Sequence, residues 1–234
     1  MKKIVLSFTM KLVSIYSKLK RLVFASHYSR SRKIFCIGRN KTGTTSMAKI
    51  FRKMGLSVGP QRPAELLVKD WGKNDFTRII KYVKYSGIAF QDIPFSFPNT
   101  FKVLDKEFPD SKFILTIRDS PEIWYKSLIS FHSKRFGNGC LPTKQDLKKA
   151  KYIYPGYAWE VNRLLHNTPE EDIYNKQMLI QHYIDYNDSV IKYFKNKPEQ
   201  LLVVNLKEPD SLVKISKFLG ISKNIGKVPW ENKT

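Results

Sequence analysis

The sequence predicts an α/β fold, a three-layer sandwich in which a central parallel sheet of about four to five strands lies between helices. Three observations predict it. Short apolar runs alternate with helical patterns along the 234 residues, one run breaks into a glycine-bracketed loop that opens a helix, and another ends on an arginine before a capped helix. Strands separated by helices need crossovers, which in a parallel sheet are right-handed. With 42% hydrophobic residues the chain can bury one such core, and no linker divides it. The expected organisation is a basic amphipathic helix over residues 1–30 and one domain over 31–234.

The first element is that amphipathic helix. Between Lys2 and Phe24 there is no Pro or Gly. At about 100° per residue Ile4, Phe8, Leu12, Ile15, Leu19 and Leu22 share one face, and Lys3, Ser7, Lys11, Ser14, Lys18 and Arg21 share the opposite one. Lysines interrupt its apolar runs well short of the ~18 residues of a spanning helix. The segment is therefore expected to lie on a membrane surface or to dock on its own domain. A cleaved signal fits poorly, because only seven apolar or neutral residues separate Lys3 from Lys11 and no small-x-small site follows.

The second element is the strand Ile34 to Ile37, which runs into Gly38-Arg-Asn-Lys41-Thr-Gly43 and then a helix continuing to Met54, ended by Gly55. Gly38 and Gly43 have the spacing of an ATP-type phosphate loop, but Thr44 stands where that loop places its lysine. The lysine is Lys41, inside the loop. Thr42, Gly43, Thr44, Thr45 and Ser46 follow as backbone donors and hydroxyls at a helix start, which makes an anion cradle. An ordinary strand-to-helix turn capped by Ser and Thr is the plainer alternative.

Next come a short candidate strand at 56–58, helices at 60–71 and 74–85, and a strand at 88–90 leading into Gln91-Asp92-Ile93-Pro94. A helix at 98–108 precedes the strand Lys112 to Ile117. Arg118 stands at its C-terminal end, where open α/β sheets bind ligands. Ser120 caps the following helix, with Pro121 at its first position, and the helix runs to about Arg135. Phe136 to Thr143 reads as a loop and a natural substrate-facing lid. Two longer helices follow, the second opened by Thr168-Pro169-Glu170-Glu171 as N-cap, first-position Pro and capping-box Glu. The strand 201–205 and the helix Ser211 to Leu219, ended by Gly220, complete the pattern.

Lys41 to Thr45 (KTGTT) resembles the 5′-phosphosulfate loop of the sulfotransferase family, which uses 3′-phosphoadenosine 5′-phosphosulfate (PAPS) as donor. The Arg118 segment resembles that family's 3′-phosphate segment, with Arg118 in the first role and Ser127 in the second. The Arg118 to Ser127 spacing is one residue longer than usual, so Ser120 stands as an alternative. A surface pair of Arg118 with Asp119 or Glu122 is the alternative of no function. Many cytosolic members place Trp after the second Thr to hold adenine. This chain has Ser46 there, so adenine stacking must come from elsewhere.

The resemblance implies a phosphate-loop-like sandwich and a transferase. A sulfuryl group would move from PAPS to a hydroxyl or amine by in-line displacement, releasing adenosine 3′,5′-bisphosphate (PAP). Lys41 would neutralise the leaving oxygen, Thr42, Gly43, Thr44, Thr45 and Ser46 would hold the 5′-phosphate, and Arg118 and Ser127 the 3′-phosphate. No metal is expected. For the proton acceptor the candidates are Asp92, which ends a strand on the cradle's edge of the sheet, and His132 on the helix after Arg118. A turn role for Asp92 and a packing role for His132 are the structural alternatives. Tyr152, Tyr154, Tyr157 and Trp159 could form either a sugar-stacking wall or core.

A net charge of +22, with fifteen Lys or Arg before the first acidic residue, Glu65, exceeds what one nucleotide needs. It points to an acidic acceptor such as an anionic glycan, or to peripheral contact of residues 2–24 with an anionic membrane on the cytoplasmic face, with a generally basic proteome as the plainer alternative; the acceptor expected is a glycan or lipid-linked molecule. A cytoplasmic location is expected. The two cysteines define neither a disulfide framework nor a zinc site. A nucleotide or small-molecule kinase, and a non-catalytic basic membrane or nucleic-acid module, are the alternative functions. No nucleic-acid recognition motif appears, so a nucleic-acid partner is not expected.

Overall fold

The computed structural model describes residues 24–222 and Gly226. Of the amphipathic segment, residues 1–23 lie outside the described residues; 24–30 are helical. The buried ammonium of Lys33 donates to Tyr28 O at 2.6 Å and to Gly87 O at 2.9 Å, tying that helical end to the domain.

Four strands, β1 (Ile34–Cys36), β2 (Ala89–Gln91), β3 (Lys112–Ile117) and β4 (Leu201–Asn205), form one parallel sheet in the order β2-β1-β3-β4. Register runs Phe35 beside Phe90 and Phe113, and Leu115 beside Val203. The chain builds outward from β1 to β2, then returns across β1 to lay down β3. The carboxyl ends of β1 and β3 thus flank the switch point at which such sheets open a crevice. The expected fifth strand at 56–58 reduces to a single bridge, Val58 to Ala89, because Gly55, Gly59 and Pro60 confine it to a few residues.

Helices cover both faces. They are α1 (Thr44–Lys53), α2 (Gln61–Glu65), α3 (Val68–Gly72), α4 (Thr77–Ser86), α5 (Thr100–Glu107), α6 (Pro121–Phe136), α7 (Lys144–Lys149), α8 (Tyr157–His166), α9 (Lys176–Tyr193) and α10 (Ser211–Leu219). Alternation along the strands decides which helix meets which face. Phe35, Phe113 and Leu115 point to the layer holding Phe101, Tyr186 and Phe194, whereas Ile34, Cys36 and Ile114 point to Met47, Phe51 and Ile215. Phe35, Cys36, Phe113, Ile114 and Leu115 are all 0% exposed, so β1 and β3 are covered on both faces, as in other parallel sheets.

Several helix boundaries differ from expectation: the helix expected at 74–85 begins at Thr77, the two expected after Thr143 are three, α7 to α9, and two further differences have tertiary causes. The single helix expected at 60–71 is two, because Leu67 N bonds Ala64 O three residues back and the chain turns. That break puts Leu67 and Val68 in the core. The N-cap expected at Thr168 is not one. Thr168 Oγ1 donates to Ile173 O at 3.0 Å inside a loop, Glu170 pairs with Lys144, and the helix starts at Lys176 with Asn175 accepting from Met178 N at 3.0 Å. A cap signature needs a free first turn behind it, and the tertiary bonds at 168–173 use that chain otherwise.

Candidate active site

After β1 the backbone must pass close to β3. At Gly38 a Cβ would stand 2.0 Å from Thr116 Oγ1, so only glycine fits. Thr42 Oγ1 then donates to Arg39 O at 2.6 Å and lies 2.6 Å from Thr116 Oγ1, which pins the loop from beneath. Lys41 sits at φ 73° and Gly43 at φ 103°, two left-handed residues that curl the loop round its own centre. Gly43 is the N-cap of α1 and no side chain caps that end. The first-turn N-H groups of α1 therefore stay available at the positive end of a ten-residue helix.

Asp92 locks this loop to the next strand. Its Oδ1 accepts from Asn40 Nδ2 at 2.6 Å and Ile93 N at 2.9 Å, and its Oδ2 accepts from Thr44 Oγ1 at 3.0 Å. Burial pushes its pKa up, while the Thr44 bond is the first of the contacts that pull it back. Asn40 O accepts from Trp124 Nε1 at 2.8 Å, so α6 holds the loop from the other side.

Arg118, leaving β3, donates from Nε to Lys41 O at 2.6 Å. The two cationic residues thus meet at one crevice. Asp119 does not compete for Arg118: it accepts from Asn205 and Lys207 instead. The ammonium of Lys41 lies 3.9 Å from the Phe131 ring centre, and burial, helped by the Arg118 charge, lowers its pKa to about 8. Among the described residues no carboxylate forms an ion pair with it.

These groups line one cavity of about 260 Å³, together with Thr44, Thr45 and Ser46 of α1, Trp124, Phe131 and His132 of α6, Glu65 of α2, Tyr152, and Tyr157 and His166 of α8. Thr42 is buried below it, and Ser127 is buried on α6 outside its lining. Ser120 caps α6 by accepting from Ile123 N at 3.3 Å. His132 reaches the cavity with Nδ1 2.8 Å from Tyr174 Oη, and burial lowers its pKa to about 4, so its ring is neutral near pH 7. Of the loop expected as a lid, only Phe136 lines the cavity; the wall there is Tyr152, from the next turn of chain. Of the expected aromatic wall, Tyr152 lines the cavity, Tyr157 does so from the core, and Tyr154 and Trp159 pack against core clusters.

Sequence reasoning passed over Glu65, which lies between Ala64 and Leu66 with no motif around it. Its carboxyl is buried, Oε1 accepts from Tyr152 Oη at 3.2 Å, and burial, then the nearby Asp92 charge, raises its pKa to about 7. Arg39 was likewise missed. It is 1% exposed, donates to Ser96 O at 2.7 Å and stacks 5.2 Å from the Tyr186 ring centre, which makes it a pillar under the loop. A lone buried carboxyl or guanidinium carries no local sequence signal.

Glu65→Gln tests this environment without any substrate. A carboxyl with a raised folded pKa keeps its proton while the unfolded chain gives it up, so the native state loses stability as pH rises from 4.5 to about 7. The glutamine variant lacks that loss. Its stability relative to wild type is expected to be greater near pH 8 than near pH 4 by on the order of 2 kcal/mol in urea denaturation. A difference equal at both pH values would mean that Glu65 titrates as if in water.

Residues 33–234 match the family model described as a sulfotransferase domain. A search of curated proteins gives no match. The match spans both the loop and the Arg118 segment. Among the described residues no group of His, Cys, Asp and Glu is arranged to hold a metal ion, and no helix is long and apolar enough to cross a membrane.

Proposed function

Because the chain belongs to the sulfotransferase family, which moves sulfuryl groups, we propose that its donor is PAPS and its acceptor a hydroxyl or amine of a glycan or lipid-linked molecule. One observation carries the reading: Lys41 and Arg118, whose guanidinium bonds the Lys41 carbonyl at 2.6 Å, line one cavity with the uncapped start of α1. The fit to a bisphosphate is supported by Gly38 and Gly43, whose missing side chains let the loop fold tightly against Thr116 and Leu206, with Gly43 and the uncapped start of α1 at the cavity. PAPS, when bound, supplies the activated sulfur.

The residues divide the work. The α1 donors from Thr44 onward, with Thr45 and Ser46, hold the 5′-phosphate; Arg118 holds the 3′-phosphate, and Ser127 of α6 assists if that helix turn opens. Lys41 neutralises the phosphate oxygen as its bond to sulfur breaks and the acceptor oxygen or nitrogen bonds to sulfur. The proton lost by the acceptor needs a base at the cavity. Asp92 was the sequence candidate, but its two oxygens already accept three hydrogen bonds from the loop. Glu65 is held by fewer, from Tyr152 and Gln61, and takes protons near neutral pH, so we assign it the base and Asp92 the positioning of the loop. His132, its ring neutral and its Nδ1 engaged with Tyr174, borders the same space as the second candidate. The excess of basic residues supports peripheral contact with an anionic cytoplasmic membrane face through residues 2–24.

Thermal shift with PAP tests the donor site. PAP without metal is expected to stabilise the protein by about 2.7 kcal/mol at a hundred times its Kd, while ATP with magnesium gives a smaller shift. Stabilisation by ATP-magnesium alone would turn the reading towards a kinase.

A further inference from the structure

Beside the donor cradle lies a second gathering of positive charge. Tyr152 lines the cavity, and two guanidiniums lie over its ring: Arg62 of α2 at 5.6 Å and Arg135 of α6 at 5.1 Å from the ring centre. Both residues are exposed. The ring face attracts each guanidinium, but the two like charges repel each other, and an anion between them relieves that repulsion.

Within the described residues the Glu65 carboxyl feels the Arg62 charge without pairing with it. Among the described residues neither arginine forms an ion pair. Arg62 Nη2 donates to Tyr152 O at 2.5 Å, which orients the planar fork and leaves its Nε and Nη1 without a partner among the described residues. Arg135 makes no hydrogen bond among them. Cations continue outward, with Lys134 exposed next to Arg135 and Lys69 at 4.7 Å from the Tyr154 ring centre. The acidic residues lining the cavity are Glu65 and Asp92, both turned to internal donors.

We propose that Arg62 and Arg135, gathered on Tyr152, form an anion subsite that receives a carboxylate or sulfate of the acceptor close to its reacting hydroxyl or amine. Oriented guanidinium forks match planar or tetrahedral oxyanions, and as a pair they hold a charged group where one lysine would hold it loosely. Tyr152 sets the spacing. Its hydroxyl bonds Glu65 and its ring carries the arginines, so anion and reacting group lie about one tyrosine side chain apart. That separation suits the hydroxyl and the acidic substituent of one sugar or of adjacent sugars. The inference rests on the proposed transfer reaction and narrows its acceptor to an acidic glycan, against a neutral glycan or an uncharged lipid.

Calorimetry with a sulfated, uronate-containing hexasaccharide and with neutral maltohexaose at about 150 mM salt tests it, the salt suppressing long-range attraction. Wild type is compared with Arg62→Ala/Arg135→Ala and with a charge-matched control, Lys192→Ala/Lys195→Ala. The control pair is exposed and lies near the C-terminal end of α9, which feeds β4 at the opposite end of the sheet from the cavity. The acidic sugar is expected to bind wild type and control alike and the arginine variant about ten-fold or more weakly; maltohexaose should not bind measurably. Equal weakening in both variants, equal binding of the neutral sugar, or no binding to wild type would each overturn the subsite. Thermal shift by PAP separates the layers: a response intact in all three proteins keeps the donor site whatever the sugar does, and its absence in wild type removes the reading beneath.

Discussion

Lys41→Ala is expected to lower kcat for sulfuryl transfer by about 10²- to 10³-fold, the loss seen when one preorganised stabiliser of developing charge is removed from a water-poor site. The effect should fall on kcat more than on PAP affinity, because α1 and Arg118 still hold the nucleotide while the leaving oxygen loses its counter-charge. The fold should survive. Lys41 contributes its backbone carbonyl to Arg118 and its ammonium to the cavity, and alanine keeps the first. The same ammonium predicts the alkaline side of the wild-type profile: with its pKa lowered to about 8, kcat/KM should decline above that pH as the charge is lost. Transfer of label from PAPS to a responsive acceptor, measured across pH for both proteins, reads both effects. A variant as fast as wild type, with an unchanged alkaline limb, would remove Lys41 from the chemistry.

Gly38→Ala should be the most damaging change to the structure that carries the site. Its Cβ would fall 2.0 Å from Thr116 Oγ1, 2.4 Å from Thr116 O and 2.7 Å from Thr42 Oγ1. A hydroxyl could rotate away, but a strand carbonyl cannot, so β1 and β3 must separate at the edge where Arg118 emerges. Overpacking of this kind costs about 1 to 3 kcal/mol and can cost more. Since the displaced atoms also set the Lys41 to Arg118 bond, PAP affinity should fall by about ten-fold or more beyond the loss of stability. Gly55→Ala serves as the control. There the added carbon meets nothing within 4 Å and only the left-handed φ of 87° opposes it, so about 1 kcal/mol and unchanged PAP binding are expected. Urea denaturation and calorimetric titration with PAP measure both. Equal stability of Gly38→Ala and Gly55→Ala would mean that the β1 to β3 approach has room for a methyl group.

The loop end of the cavity was legible because its geometry is local. Lys41, Gly43 and Thr44 are close in sequence, and a loop that must expose N-H groups at a helix start can be written only in small, hydroxylated and glycine residues. Arg118 could be read from the apolar run before it, since a strand end in an open α/β sheet faces the crevice. The rest of the cavity was not legible in the same way. Glu65 follows a proline-containing turn, Tyr152 lies in an irregular stretch, and Arg62 and Arg135 look like any exposed arginine on a basic chain.

The sequence by itself determined the four strands, their helical crossovers and the glycine-bracketed loop that opens α1, because strand and helix periodicity and loop geometry depend on neighbours a few residues away. Tertiary structure alone decided that Asp92 spends its oxygens on Asn40, Ile93 and Thr44, that Thr168 closes a loop instead of opening a helix, and that Glu65 meets Tyr152 across 87 residues. A carboxyl's proton affinity and an arginine's partners are set by what packing brings within a few ångströms, and those neighbours are distant along the chain.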